Sequence, residues 1–186
     1  FVECLASCGS APVAMVDDYF KENIKLTEAA KLLKLQRSDA TLPKVLPPHP
    51  KEKRLVFKNI DRDGWTNDIE CYLKDGGYAD LKKALGMPRA DIVNEVRASG
   101  LRGRGGAAFP TGINWKTVAG AQAAQKYVVC NADEGDSGTF SDRMLMEGDP
   151  LCLIEGMTIA GLAVGATRGY IYLRCEYPYA GHALRE

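Results

Sequence analysis

The chain has 186 residues, with 24 Lys plus Arg against 24 Asp plus Glu and a formal net charge of +0. That length suits one domain or one and a piece, and the balanced charge leaves no global field to draw in nucleic acid or a membrane surface. The longest apolar run, Leu151 to Ala166, is broken by Glu155 and several glycines, so no direct membrane insertion is expected.

In chain order, Phe1–Leu5 reads as the end of a strand, Cys4–Pro12 as a turn, and Val13–Val16 as a second short strand. Thr27–Leu35 has helical spacing, with Ala29, Ala30, Leu32 and Leu33 apolar and Thr27 as N-cap. From Gln36 to Lys53 the pattern dissolves, and Pro43, Pro47, Pro48 and Pro50 mark a linker. Arg54–Lys58 resumes as a strand, and Tyr78–Leu85 is a short helix stopped at Gly86. Pro88–Ser99 is a second helix with Ile92, Val93 and Val96 on one face. Lys126–Cys130 reads as a buried strand, Pro150–Ala166 as a helix and Gly169–Leu173 as another apolar strand. Strand, helix, strand in this order predicts a βαβ crossover and a Rossmann-like α/β layer. The chain opens on Phe1 rather than Met and closes on Ala183–Glu186 as if opening a helix, so it reads as a fragment at both ends.

Two segments carry chemistry. Between Ser99 and Asn114, Gly100, Gly103, Gly105 and Gly106 alternate with Arg102 and Arg104. Glycines let several backbone N–H groups converge on one anion, and the arginines add fixed positive charge. Gly103–Ala108 matches G-x-G-x-x-A, but a helix precedes it where the dinucleotide fingerprint needs a strand. The plainer reading is a flexible linker. The interleaved arginines and Phe109-Pro110 speak against it. After the strand at 126–130 comes N-A-D-E-G-D-S-G-T, with Asn131, Asp133, Glu134 and Asp136. An amide and carboxylates at a strand's carboxyl end suit hydroxyls and the polar edge of a ring, whereas a phosphate would be repelled. The alternative is a solvated acidic turn. Together the segments suggest a nucleotide or flavin site.

Of six cysteines, only Cys4 and Cys8 are closely spaced. In C-x-x-x-C they could hold one iron of a cluster or half a zinc site, or be two small residues at a strand end. Cys71, Cys130, Cys152 and Cys175 are expected to be small buried hydrophobes, and no secreted disulfide framework is present.

From Arg54 onward the chain resembles the flavin- and NADH-binding subunit of respiratory complex I and its relatives, the diaphorase subunits of NAD-reducing hydrogenases and NAD-dependent formate dehydrogenases. The resemblance rests on G-L-R-G-R-G-G-A-A-F-P-T-G at 100–112, N-A-D-E-G-D-S-G-T at 131–139, I-E-G-M-T-I-A-G at 154–161 and G-Y-I-Y-L-R at 169–174. Residues 1–35, with V-E-C-L-A-S-C-G-S-A-P at 2–12, resemble the end of the thioredoxin-like [2Fe–2S] partner subunit. The resemblance implies an α/β fold: an incomplete Rossmann-like flavin-binding domain over 54–186, a Pro-rich linker at 36–53, and a remnant of a thioredoxin-like ferredoxin domain over 1–35. It implies hydride transfer from NADH to FMN, then single electrons to iron–sulfur subunits of a larger cytoplasmic oxidoreductase, with no side chain acting as acid, base or nucleophile.

By that resemblance Gly103, Arg104, Gly105, Asn131, Asp133 and Glu134 contact FMN. Gly106, Phe109 and Asp136 lie along NAD, and Cys4 and Cys8 are half of a [2Fe–2S] ligand set. Asn114 stands where the family has a lysine facing the flavin, with Trp115 retained and Lys116 near. A glycine–glutamate segment covering the flavin and a [4Fe–4S] cysteine cluster are expected beyond Glu186, so residues 1–186 alone are expected to be inactive. Two other classes stay open: a non-catalytic relay or assembly piece whose flavin site has decayed, as Asn114 would suggest, and a nucleotide-binding module without redox function.

Overall fold

The computed structural model describes residues 4–5, 7, 10–17, 19–34, 49–60 and 62–186. The chain forms two compact units. One comprises 1–67, 131–150 and 173–186, and the other 68–130 and 151–172.

In the first unit, β1 (Ala14–Val16) and β2 (Tyr19–Lys21) form an antiparallel hairpin pairing Met15 with Phe20. Asp17, at the turn, has a φ of 52°, the left-handed region that tight hairpin loops require. Phe20 is completely buried and packs against Tyr179, with ring centroids 5.6 Å apart. The helix expected over Thr27–Leu35 is a 3-10 helix over Leu26–Lys34. It buries no residue, and Leu26 and Leu33 point to solvent, so no apolar packing favours the α form. Glu28 still closes its first turn by accepting the Lys25 N–H at 3.1 Å, a bond that holds the carboxyl below its ordinary range.

The strand expected at Arg54–Lys58 is absent: the segment is a series of bends and turns, with Leu55 and Val56 exposed. The residues just after it show why an irregular backbone serves better. Asn59 donates to Asp149 at 2.8 Å, Trp65 Nε1 to the Gly148 carbonyl at 2.7 Å, and Asn67 to the Glu147 carbonyl at 2.7 Å. Trp65 and Asn67 thereby satisfy carbonyls at the carboxyl end of α5 (Ser141–Gly148), which lack helical partners, while Asn59 holds the side-chain carboxylate of Asp149, the residue just past it. The closing residues also differ from expectation. They end α7 (Pro178–Ala183) rather than open a helix.

The second unit is mostly helical: α1 (Ile69–Lys74), α2 (Ala79–Leu85), α3 (Arg89–Ala98), α4 (Thr111–Gly120) and α6 (Pro150–Val164), which begins at the unit's edge. Ala84, Ile92, Val93 and Ala163 form its core, with Met87, Trp115, Ile159 and Leu162 packed around them. β3 (Tyr127–Ala132) and β4 (Arg168–Leu173) are hydrogen-bonded neighbours. Lys126, just before β3, donates to the carbonyls of Ala119 and Val164 and so ties down the ends of α4 and α6. β3 is not the wholly buried strand expected: Tyr127, Val129 and Asn131 are exposed while Val128 and Cys130 are half-buried, a period-2 alternation. The cysteines are likewise less buried than expected, with Cys71, Cys130 and Cys152 half-buried and Cys175 exposed.

Candidate functional site

The glycine-rich segment is a closed loop with an ordered neck. Thr111 N–H donates to the Leu101 carbonyl at 2.9 Å, and Gly103 N–H to the Phe109 carbonyl at 2.9 Å. Arg102 and Pro110 face each other as an antiparallel bridge, and the Arg102 guanidinium donates to the Ala108 carbonyl at 3.2 Å. Arg102 is therefore committed to shaping the loop. Beyond the neck the chain turns out into solvent, with Gly106 at φ 105° and Ala108 at φ 51°. Gly106 requires its glycine, because an L side chain is strained at that dihedral.

Among the described residues, the amides from Arg104 to Phe109 donate to no acceptor and the Arg104 guanidinium makes no ion pair. The 99–108 stretch lines an open concavity of about 630 Å³. The loop then runs into the amino end of α4, where the helix dipole favours negative charge. Unused amides, a cation and a helix start suit an anion such as a phosphate. Phe109, 56 % exposed, offers a ring face to solvent from the same loop. Asn114 lies in the first turns of α4 and not in a loop, and both it and Lys116 are exposed.

In the other unit, the segment after β3 is ordered by its own side chains. Asn131 Oδ1 accepts the Asp133 N–H at 3.1 Å, an Asx turn. Asn131, Asp133 and Asp136 are exposed, while Glu134 is buried. The Glu134 carboxylate accepts the Ser141 hydroxyl at 3.0 Å and the amides of Asp142 and Arg143 at 3.0 and 3.2 Å. It thus caps α5 from seven positions upstream, where the helix lacks a local side-chain cap. Tyr177 donates its hydroxyl to the same carboxylate at 3.2 Å. Burial, followed by the adjacent Glu134 charge, pushes the Tyr177 phenol well above its ordinary value, so it remains a donor. Asp142 is pushed up by the same two causes, burial first.

Arg174 completes this arrangement. Its Nη1 donates to the Glu134 carbonyl, its Nη2 to the Cys4 carbonyl at 3.2 Å, and its Nε to Glu176 at 3.1 Å. Arg143, on α5, donates to the Leu5 carbonyl and to Ser7 Oγ at 3.0 and 3.1 Å. The guanidinium groups of Arg143 and Arg174 lie 5.6 and 5.2 Å from the Tyr177 ring centroid. Of the expected cysteine pair, Cys4 is half-buried on this clamp, and Cys8 lies outside the described residues. Arg143, Arg174 and Tyr177 were not among the residues expected from the sequence. The usable signal was Arg174 itself, an arginine ending the apolar run of β4; a buried guanidinium needs acceptors nearby.

Residues 96–186 match the Nuo51 FMN-binding domain. Over that span the chain is similar to this family. The Nuo51-like segment contains the glycine loop, the Asn131–Asp136 segment and Arg174. The chain is 53 % identical over 139 residues to the NADP-reducing hydrogenase subunit HndC of Solidesulfovibrio fructosivorans, covering 73 % of this chain and 27 % of that protein. It is 51 % identical over 121 residues to an NADH-quinone oxidoreductase subunit of Aquifex aeolicus, covering 65 % of this chain and 28 % of that one. Among solved structures, an air-oxidized NAD+-reducing [NiFe]-hydrogenase superposes with a TM-score of 0.75 at 25 % identity, over 100 % of this chain and 32 % of that chain. The chain thus spans less than a third of the length of these proteins. The resemblance to complex I flavin subunits and hydrogenase diaphorase subunits, and the partial Rossmann-like α/β fold it implied, are borne out. No helix among the described residues is long and apolar enough to cross a membrane.

Proposed function

We propose that this chain supplies part of the FMN- and NADH-binding module of a multi-subunit NADH:acceptor oxidoreductase. The observation that carries the reading is the exposed run of undonated amides from Arg104 to Phe109 beside an unpaired Arg104. In a Nuo51-like segment, that donor set suits the phosphate of a flavin nucleotide. Bound FMN would supply the capacity to take a hydride from NADH and pass electrons on singly.

The chain's own residues bind and orient. Arg102, through its bond to Ala108, holds the loop open, and Arg104 and the amides of Gly105 and Gly106 receive phosphate oxygens. Asn131 and Asp133, exposed on their Asx turn, take ribityl hydroxyls and ring-edge donors. Glu134 contributes by fixing that turn to α5, since its carboxylate is already filled by Ser141, two amides and Tyr177. Gly106, Phe109 and Asp136 are assigned to the dinucleotide, with Asp136 on ribose hydroxyls. No side-chain proton transfer is required. Cys4 and Cys8 are assigned to a [2Fe–2S] cluster completed by ligands from outside this chain, residues 1–35 to the ferredoxin-like part, and 36–53 to a linker. The partners are iron–sulfur subunits on the cytoplasmic side, and a [4Fe–4S] centre is assigned, as the resemblance implies, to the part of the protein beyond Glu186.

The full-length protein should bind FMN more tightly than riboflavin and reduce ferricyanide with NADH. Arg104→Gln should erase most of the preference for FMN while leaving riboflavin affinity unchanged, because only the phosphate contact is lost. Equal affinity for both flavins in the unaltered protein would refute the phosphate assignment. FMN binding without NADH-dependent turnover would favour a nucleotide-binding module without redox function.

A further inference from the structure

Arg174 spends each of its three guanidinium nitrogens on a different acceptor: the Glu134 carbonyl, the Cys4 carbonyl and the Glu176 carboxylate. It is 8 % exposed, so these bonds form where water offers little competition. Glu134 lies within the Asn131–Asp136 segment, and its carbonyl and carboxylate both receive the Tyr177 hydroxyl. Cys4 lies 170 positions from Arg174 in sequence. Its neighbours Leu5 and Ser7 are held by Arg143, whose own amide donates to Glu134. The Cys4 segment and the acidic segment are therefore bonded to one planar fork, and neither can shift without breaking a bond to it.

Resting on the flavin reading, we propose that Arg174 is a positioning residue that couples occupancy of the Asn131–Asp136 segment to the placement of the Cys4 segment. A ligand that orders the first segment fixes the Glu134 carbonyl. The fork is then held in place, and ordering the Cys4 segment costs less conformational entropy. The coupling is reciprocal: anchoring Cys4 favours ligand at the acidic segment. The role requires a planar, multi-donor head. A lysine ammonium in the same place is a point charge and does not reproduce three bonds in fixed directions.

The test compares the full-length protein with Arg174→Lys and Arg174→Gln by amide hydrogen exchange, with and without saturating FMN. Visible flavin absorbance measures binding and a melting curve checks the fold. In the unaltered protein, FMN should slow exchange in the peptide carrying Cys4, Leu5 and Ser7. In both variants that peptide should exchange about tenfold faster without flavin, as expected for lost charge-assisted bonds in a local opening. FMN that still binds the variants should no longer protect it. FMN-dependent protection that survives in Arg174→Gln, or is fully restored in Arg174→Lys, overturns the proposal. Should Arg174→Gln fail to fold, the lysine variant alone decides between fork and charge. Absence of FMN binding to the unaltered protein overturns the flavin reading and the coupling with it. FMN binding without protection of the Cys4 peptide overturns only the coupling.

Discussion

The hydroxyl of Tyr72, on α1, donates to the carboxylate of Glu155, on α6. The same carboxylate accepts the amides of Tyr78 and Leu81 at 2.9 and 3.0 Å, so one buried acid anchors both short helices of the second unit to its longest one. Burial by itself would raise the Glu155 pKa, but the Tyr72 hydroxyl and the amides outweigh it and hold the carboxyl below its ordinary value.

That depression fixes the sign of a pH effect. A carboxyl with a lowered folded pKa contributes stability above its unfolded value, near 4.5, and loses it as pH falls through the folded value. Glu155→Gln should therefore destabilise the protein at pH 7 by about 1–3 kcal/mol, since a neutral amide accepts those donors less well. The gap between variant and parent should narrow toward pH 3. Tyr72→Phe should cost less, about 1 kcal/mol, because it removes one donor and leaves the two amide bonds. Urea unfolding at pH 3 to 7 measures both; an unchanging gap across that range would exclude the linkage.

Gly112 makes a prediction about the glycine motif itself. A Cβ there would stand 2.4 Å from Arg97 Cα and 2.6 Å from its nitrogen, backbone atoms that cannot swing aside. Gly112 is thus the contact at which α4 crosses α3, and Gly112→Ala should destabilise by about 1–3 kcal/mol or more through overpacking. At Gly148 the Cβ would meet Ile60 side-chain atoms, the nearest at 2.9 Å, and these can rotate. Gly148→Ala should be the milder change. Thermal melts of the two variants rank them, and equal losses would mean that α3 and α4 separate more readily than this packing implies.

Much of the second unit was legible because its signals are local. α3 and α6 carry apolar residues at helical spacing, and β3 and β4 are short apolar runs between polar turns. α4 was not legible: it follows a glycine loop and contains Gly112 and Gly120, residues that argue against a helix by propensity. α5 was not legible either, because its cap, Glu134, lies upstream of the usual window. Arg54–Lys58 misled for the opposite reason. Its Leu55 and Val56 look strand-like, but their neighbours are needed as caps for α5, a requirement set by residues some 80 to 90 positions away. In the candidate site the glycine loop and the exposed acids were readable as local motifs. The Arg174–Glu134–Cys4 connection was not, because it joins three distant parts of the sequence.

Glu134 offers a direct check on its structural role. Glu134→Ala leaves the Ser141 hydroxyl, the Asp142 and Arg143 amides and the Tyr177 hydroxyl without that acceptor. Unsatisfied buried donors cost about 1–3 kcal/mol each, although α5 can fray and admit water to relieve part of it. The expected loss is about 2–4 kcal/mol for the set. Glu134→Gln retains one acceptor oxygen and should lose less. The midpoint and slope of chemical unfolding measure both changes, and a loss under about 0.5 kcal/mol in the alanine variant would show that the cap contributes little.

The last prediction concerns Asn114, where the resemblance sets a lysine. The structure puts the residue exposed in the first turns of α4, directly after the glycine loop whose amides from Arg104 to Phe109 are undonated. A lysine there extends a cation on a flexible stem, whereas the asparagine offers a shorter, neutral amide. A charge-assisted bond is worth about 1.5–3 kcal/mol when well formed, against about 1 for a neutral one. Asn114→Lys in the full-length protein should therefore tighten FMN binding by about tenfold at most, the size of that difference. Lysine also has the better helix propensity, so the variant should melt no lower than the parent. Lys116→Ala, two positions further along α4, should leave FMN affinity unchanged. Flavin titration by fluorescence quenching decides the matter. Loss of flavin in Lys116→Ala with no gain in Asn114→Lys would move the flavin-facing cation to Lys116. No effect from either would detach this turn of α4 from the flavin altogether.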